Sequence, residues 1–336
     1  MERDPVKTIT LEDVARDAGV SRALVSMAIR DVPGVNSQTR DRILATAERL
    51  GYRPNRLASR LASRSTTAIG VFLLDLRQDV YADMFDGIRD VTQDEKLHLV
   101  LAVGAHDGTL DGNALDSLMQ SRVDIVIATG LLLPDDDVRA FSRHTPIVSV
   151  ARQIDGVDSV ASDNVRGALL ATEHLIGLGH RRIVFLANPQ TDGYTGRQEG
   201  YVDTMTRAGL EPWLVGSQYS RRQAARDIAP VLALPVDERP TAVFAHNDQA
   251  ALGVLDAMAT LGLRAPDDIS VVGYDNSQVS QAPGTQLTTV DIHGEELGEE
   301  AARMALRRLE EPSAPPASHV SQPTLVVRAT SGPARF

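Results

Sequence analysis

Three groups of side chains in this sequence have the types and spacing to do chemistry, and that chemistry is binding rather than bond-making. The first stands where short apolar runs end: His246-Asn247-Asp248 after Ala242–Ala245, Asp275 after Ile269–Tyr274, and Arg197 in the turn after Ile183–Ala187. If those runs are strands of a doubly wound sheet, these groups sit at the carboxyl ends, where such sheets take their ligands. Each also has a plainer reading. Asn247 or Asp248 can simply cap a helix through Ala251 and Leu255, Asp275-Asn276-Ser277 is a good turn by composition, and Arg197 can be a solvated charge. The second group is Arg22, Ala23, Ser26, Met27 and Arg30, which share one face of a short helix. The third is arginine-rich: Arg49, Arg53, Arg56, Arg60 and Arg64 recur at near-helical intervals, with no acidic residue between Glu48 and Asp75. No dinucleotide fingerprint, P-loop or G-x-S-x-G elbow is present, the eight histidines have no metal-ligand spacing, and there is no cysteine. Neither a cofactor, nor a metal, nor catalysis is expected.

Near the N-terminus the positioning elements are short helices. Thr10 precedes Leu11, Val14, Ala15 and Ala18 at helical spacing, with Asp13 placed for a capping box and Gly19 as terminator. Ser21 can cap a second helix, whose Leu24, Val25, Ala28 and Ile29 form an apolar face opposite the Arg22–Arg30 group. A third helix is expected after Asn36, with Ile43, Leu44, Ala47 and Leu50 facing inward. Three short helices on one core make a helix-turn-helix head whose second helix can enter a major groove. The segment Arg53 to Arg64 follows: Pro54 can start a helix, but only about two turns precede Ser65, so it needs a docking partner to be stable. Its arginines, small residues and leucines suit a minor groove, with phosphate contacts and an apolar wedge; the alternative is a plain interdomain linker.

The charge balance agrees. Residues 1–64 carry 12 basic and 8 acidic side chains, a balance of +4, whereas residues 65–336 carry 22 and 37, a balance of −15, within a net charge of −11. A small basic head on an acidic body points to a polyanion partner for the head alone. With 43% hydrophobic and 24% charged residues, the 336-residue chain has material for two to three domains. Its charged N-terminus shows no signal peptide and no apolar run is long enough for a bilayer, so a cytoplasmic protein without membrane contact is expected. From Ala68 onward, strand-like runs (Ala68–Leu74, Leu97–Val103, Val123–Ala128, Ile147–Val150, Ile183–Ala187, Ala242–Ala245, Ile269–Tyr274) alternate with helical ones (Tyr81–Glu95, Val165–Leu178, Tyr201–Ala208, Ala250–Leu261). This is an α/β pattern of two doubly wound parallel-sheet lobes, crossing near Ala161–Val165 and crossing back through Glu295–Leu309 and Thr324–Arg328. The expected boundaries are 8–53 for the head, 54–64 for a hinge helix and 68–336 for the body, with lobe 1 at about 68–161 plus 292–318 and lobe 2 at about 162–291 plus 319–330.

The stretches TLEDVARDAGVS, TRDRILATAERLGYRPN, RLASRL and AIGVFLL together resemble the lac repressor/galactose repressor family of bacterial transcription regulators, over essentially the whole chain. The resemblance implies a DNA-binding repressor, dimeric on a palindromic operator, whose lobes of the periplasmic-binding-protein type take a small effector, a sugar. It places Arg22, Ala23 and Met27 at base-reading positions of a recognition helix that also includes Ser21, Ser26 and Arg30. It makes Asn55, Arg56, Leu57, Ala58 and Leu61 a minor-groove hinge, with Leu61 the intercalating leucine. GYTGRQEGY, FAHNDQAALG and VVGYDNS resemble the family's effector motifs, implying Arg197, Asn247 and Asp275 as contacts, with Tyr219 near the stacking position, Tyr81 in a first-lobe loop and Arg152 as a further contact. Three departures stand out: Leu24 where Thr is usual, Met27 where an Arg usually reads guanine, and Ala151 where Asp often precedes the arginine. Two other readings remain: a non-sugar metabolite as co-repressor, and a ligand-binding protein without DNA function.

Overall fold

The computed structural model describes residues 9–29, 34–52, 67–93, 97–188 and 195–335, and its internal contacts divide it into two units at Thr66–Thr67. The first unit holds α1 (Leu11–Ala18), α2 (Arg22–Ile29) and α3 (Ser37–Arg49), and α1 and α3 begin and end at capping residues. Asp13 N–H donates to Thr10 Oγ1 at 3.3 Å while Thr10 N–H donates to Asp13 Oδ2 at 3.0 Å, a reciprocal capping box. Gly19, at φ 64°, closes α1 in the left-handed region, and Ser21 Oγ then accepts the Leu24 N–H at 3.2 Å to start α2. Val14, Ala18, Val25, Ala28, Ile43 and Ala47 form the core of this unit. Leu44, expected inside, is 44% exposed: the inward stripe of α3 runs Ile43, Thr46, Ala47, Leu50 and leaves Leu44 at its edge. The expected hinge residues Asn55, Arg56, Leu57, Ala58 and Leu61, and Arg30 in the head, lie outside the described residues.

The second unit holds two six-stranded sheets. The first joins β1 (Thr67–Leu73), β2 (Leu97–Val103), β3 (Ile125–Thr129), β4 (Ile147–Val150), β5 (Asp158–Ser162) and β11 (Ser318–Ser321) in the order β11-β5-β4-β3-β1-β2, with every neighbour parallel. The second joins β6 (Ile183–Ala187), β7 (Trp213–Gly216), β8 (Ala242–Ala245), β9 (Ser270–Asp275), β10 (Thr288–Asp291) and β12 (Thr324–Val326) in the order β12-β10-β9-β8-β6-β7. Only β12 runs antiparallel, against β10. Between them lie α4 (Asp79–Val91), α5 (Asp111–Gln120), α6 (Asp135–Ser142), α7 (Asn164–Gly177), α8 (Gly196–Arg207), α9 (Arg221–Leu232), α10 (Asp248–Thr260), the single turn α11 (Gln278–Gln281) and α12 (Gly294–Glu310).

The chain passes between sheets three times: from β5 into α7, from β10 into α12, and between β11 and β12. The last passage falls at Gln322–Pro323, so residues 319–321, expected in the second lobe, belong to the first sheet as part of β11. Within the first lobe, α4 and α12 approach closely enough that a Cβ on Gly87 would overlap the Glu295 carbonyl oxygen, and one on Gly298 that of Met84. That contact fixes α4, which carries the cleft residues Val80, Tyr81 and Met84. Among the described residues no helix is long and apolar enough to cross a membrane.

Candidate functional site

On the head, Ser21, Arg22 and Ala23 are exposed, and Ser26 and Met27 are half-buried. The Met27 methyl lies 3.3 Å from where a Cβ on Gly34 would stand, so its tip rests against the turn that follows α2. The face thus offers a guanidinium, a methyl and a hydroxyl near the helix start, and an apolar thioether farther along.

In the body, the strand ends of both sheets converge on a narrow cleft between the two sheets. The first lobe contributes Leu74, Gln78, Val80, Tyr81, Met84, Leu132 and Ala151, the second Asn188, Arg197, Tyr219, His246, Asn247 and Asp275, and Ile292 lies on a crossing segment. Of the six side chains expected at an effector site, the fold brings five together here: Tyr81, Arg197, Tyr219, Asn247 and Asp275.

Arg197 is the centre of the polar wiring. It projects from the first turn of α8 rather than from the preceding loop, because Gly196 already opens the helix. Its Nη2 pairs with Asp275 Oδ1 at 3.2 Å, its Nε donates to Asn164 Oδ1 at 2.9 Å, and its Nη1 donates to the His246 carbonyl. The guanidinium lies over the Tyr274 ring, 3.8 Å from the centroid. Burial pushes the Asp275 carboxyl up to about 7 although Arg197 opposes the shift. Burial likewise raises Asp248 to about 6, against hydrogen bonds from Thr289 and Ser277. Asp248 holds the β9 terminus by accepting from Ser277 N–H at 2.8 Å and Thr289 Oγ1 at 2.6 Å. The backbone there is strained: Asp275 has φ 111° and Asn276 φ 54°. Arg328 Nη2 donates to Asn276 Oδ1 at 2.6 Å, and Asn276 Nδ2 to Asp291 Oδ2 at 2.9 Å, which together fix the turn that aims Asp275.

Asn247 has both of its readings at once. Its Oδ1 accepts the Ala250 N–H at 2.8 Å, capping α10, while its Nδ2 donates to Gln78 Oε1 at 2.8 Å across the cleft. Gln78 Nε2 also donates to the Tyr219 carbonyl at 3.2 Å, so one amide from the first lobe bridges two segments of the second. Asn188 Nδ2 donates to the Tyr219 hydroxyl at 3.1 Å. Gln78 and Asn188 escaped the sequence reading: each is a lone amide whose partner, Asn247 across the cleft for Gln78 and the Tyr219 hydroxyl for Asn188, is set only by the fold.

Two expectations need correction. Tyr81 stands in the first full turn of α4, not in a loop, since Gln78 already acts as the N-cap. Arg152 does not line the cleft. It is buried, donating to the carbonyls of Leu131 at 3.3 Å and Leu133 at 2.7 Å and pairing with Asp135 at 2.9 Å. It clamps the loop that carries Leu132, while Ala151, held at φ 73°, takes the cleft-lining position. Among the described residues no cluster of His, Asp or Glu could hold a metal ion.

Residues 10–55 match the model of bacterial regulatory proteins of the lacI family, and residues 172–331 match a periplasmic binding protein-like domain. The catabolite control protein A of Priestia megaterium is 31% identical over 304 residues, 88% of this chain and 91% of that protein. The HTH-type transcriptional regulator GalS of Salmonella typhimurium is 31% identical over 327 residues, 95% of this chain and 96% of that protein. Among solved structures, the lac repressor dimer bound to operator and the anti-inducer ONPF is 28% identical with a TM-score of 0.80, covering 97% of this chain and 100% of that one. A transcriptional regulator CelR–cellobiose complex is 28% identical with a TM-score of 0.70, covering 96% of this chain and 100% of that one.

Proposed function

Since the chain belongs to the lacI family of bacterial regulatory proteins, and is thereby a DNA-binding transcriptional regulator rather than an enzyme, we propose that it is a repressor. In this reading it binds a palindromic operator as a two-fold dimer and is controlled by a sugar held between its lobes. The observation that carries the sugar reading is the Arg197–Asp275 pair, wired to Asn164 and the His246 carbonyl, with Tyr219 on its own lobe and Tyr81 on the facing one lining the same cleft. A charge-paired guanidinium and carboxylate beside an aromatic ring offer directional donors, acceptors and a stacking face to vicinal hydroxyls. Two similar regulators support it: one is solved with cellobiose, the other as a dimer on operator with an anti-inducer.

In the head, Ser21, Arg22, Ala23, Ser26, Met27 and Arg30 read the major groove, and Asn55, Arg56, Leu57, Ala58 and Leu61 occupy the minor groove as a hinge. A sugar binding between the lobes changes their relative angle and shifts the population in which paired hinges insert Leu61. Coupling of this kind is typically worth about 1–3 kcal/mol.

Selection from a random DNA library with the full-length protein tests the operator half of this reading. The expected result is a two-fold symmetric motif with a central pyrimidine–purine step, no guanine preference at the base pair facing Met27, and a guanine preference there in Met27→Arg, worth about 1–3 kcal/mol. An asymmetric motif, or none, overturns it. Leu61→Gly should abolish operator affinity while sugar affinity stays at the wild-type value.

A further inference from the structure

Among the described residues lining the cleft, one buried side-chain polar atom has no hydrogen-bond partner. His246 follows β8 and is 1% exposed, and it lines the cleft. Its ring Nδ1 lies 3.0 Å from the Leu186 carbonyl oxygen. A carbonyl only accepts, so Nδ1 carries the proton and Nε2 is left as a bare lone pair. Nε2 is buried and has no hydrogen-bond partner among the described residues. The ring cannot rotate to relieve this without breaking the Nδ1 bond, and the Tyr219 ring stands edge-on beside it, with centroids 5.4 Å apart. Buried acceptors in folded proteins are nearly always satisfied, and an idle one inside a ligand cleft marks a place where a ligand supplies the donor.

Resting on the reading of this cleft as a sugar site, we propose that His246 is a specificity-determining residue whose Nε2 accepts a hydrogen bond from one ligand hydroxyl. The site therefore selects neutral polyhydroxylated ligands bearing a donor at that position, and rejects those with hydrogen or an acceptor there. The surroundings agree. Burial, with the Arg197 charge beside it, drives His246 down to about 3, so the imidazole stays neutral and cannot itself donate from Nε2 at physiological pH. The main donor nearby, Arg197, is engaged by Asp275, Asn164 and the His246 carbonyl, and Asp275 is a second acceptor. What the cleft lacks on this side is a donor, and a sugar hydroxyl is one. A ligand presenting a carboxylate or phosphate oxygen to Nε2 would set two lone pairs against each other in a buried site.

The test uses the full-length protein and a panel of neutral hexoses, pentoses and disaccharides, screened by thermal shift and titrated by calorimetry. For the tightest binder, each monodeoxy analogue is then compared. One analogue should bind wild type about 10- to 100-fold more weakly than its parent. His246→Asn, whose amide can replace Nδ1 but not Nε2, should bind parent and analogue alike. His246→Gln, whose amide oxygen can reach the place of Nε2, should restore part of the discrimination. Discrimination undiminished in His246→Asn overturns the proposal, and if Asp275→Asn still abolishes sugar binding, the sugar site itself stands. Unchanged sugar affinity in Asp275→Asn, or no binder in the panel, overturns both. If His246→Asn does not fold, nitrogen NMR of histidine-labelled wild type decides. The Nε2 signal should be of the unprotonated type and shift on sugar binding; a protonated Nε2, or no shift with saturating sugar, refutes the role.

Discussion

The two lobes face the same cleft with opposite chemistry. The second lobe presents a polar network already assembled: Arg197 is tied to Asp275, Asn164 and the His246 carbonyl, and Asn247 is fixed by capping α10. The first lobe presents Leu74, Val80, Met84, Leu132 and Ala151, with Gln78 and Tyr81 as its polar-tipped exceptions. A preorganised polar wall gives ligand specificity at small entropic cost, whereas an apolar wall closes on whatever the polar wall has oriented. Under the proposed sugar reading, recognition falls to the second lobe and closure to the first, with the Gln78 amide bridging them.

Breaking the polar wall should have the largest effect. Arg197→Met leaves Asp275 buried without its countercharge and should cost about 3–5 kcal/mol in urea unfolding of the body, together with loss of sugar binding. A loss below about 1 kcal/mol would mean the network is not preorganised. Next comes the support of the apolar wall. Gly298→Ala forces α12 off α4 and should cost about 1–3 kcal/mol, shifting Gln78 and Tyr81 while leaving the Arg197–Asp275 pair in place. Its melting temperature should fall and its sugar affinity should weaken less than in Arg197→Met. Gln78→Ala removes the bridge to Asn247 and the Tyr219 carbonyl, for about 1 kcal/mol in unliganded thermal unfolding. Small-angle scattering should show the unliganded body more open; an unchanged radius of gyration would deny Gln78 its part in closure.

The smallest effect is that of pH. Asp275 and Asp248 have native pKa values raised by burial above 3.8, to about 7 and about 6. Their contribution to stability is therefore complete below the unfolded value and is lost as pH rises through the native ones. His246, His180 and His174 are shifted down by burial and act in the opposite sense, but only below their unfolded value of 6.5. Above pH 7 the histidines are nearly silent and only the tail of the Asp275 titration remains, so wild type should lose stability by only about 0.3 kcal/mol between pH 7 and 8. Asp275→Asn should flatten that slope in pH-resolved thermal melts.

Much of this was legible in one dimension. Thr10, Asp13, Gly19, Ser21 and Asn36 mark the helices of the head because caps act over three or four residues. Val25 and Ala28 point inward because their spacing permits little else. In the body, the apolar run of β2 became a half-exposed edge strand, while the equally apolar, continuous runs that became β1, β6 and β8 read as buried parallel strands. Polar strands did not. β10, Thr-Thr-Val-Asp, and β11, Ser-His-Val-Ser, have too few apolar residues for a periodic signal and exist because a neighbouring strand pairs with them. The amphipathic helices α5, α6 and α9 were passed over for similar reasons, since each is short and interrupted by polar residues.

The sequence by itself determined that the chain has a basic helix-turn-helix head and an α/β body with polar groups at its strand ends, since local caps and periodicity reach only a few residues. Which of those groups share a site was decided in three dimensions. Arg152 and Arg197 are alike in one dimension, yet one clamps the Leu132 loop and the other anchors the cleft. Gln78 meets Asn247 across 169 positions of chain. Hydrogen bonds and ion pairs are directional and short-ranged, so their partners are set only when packing has fixed where the backbone runs.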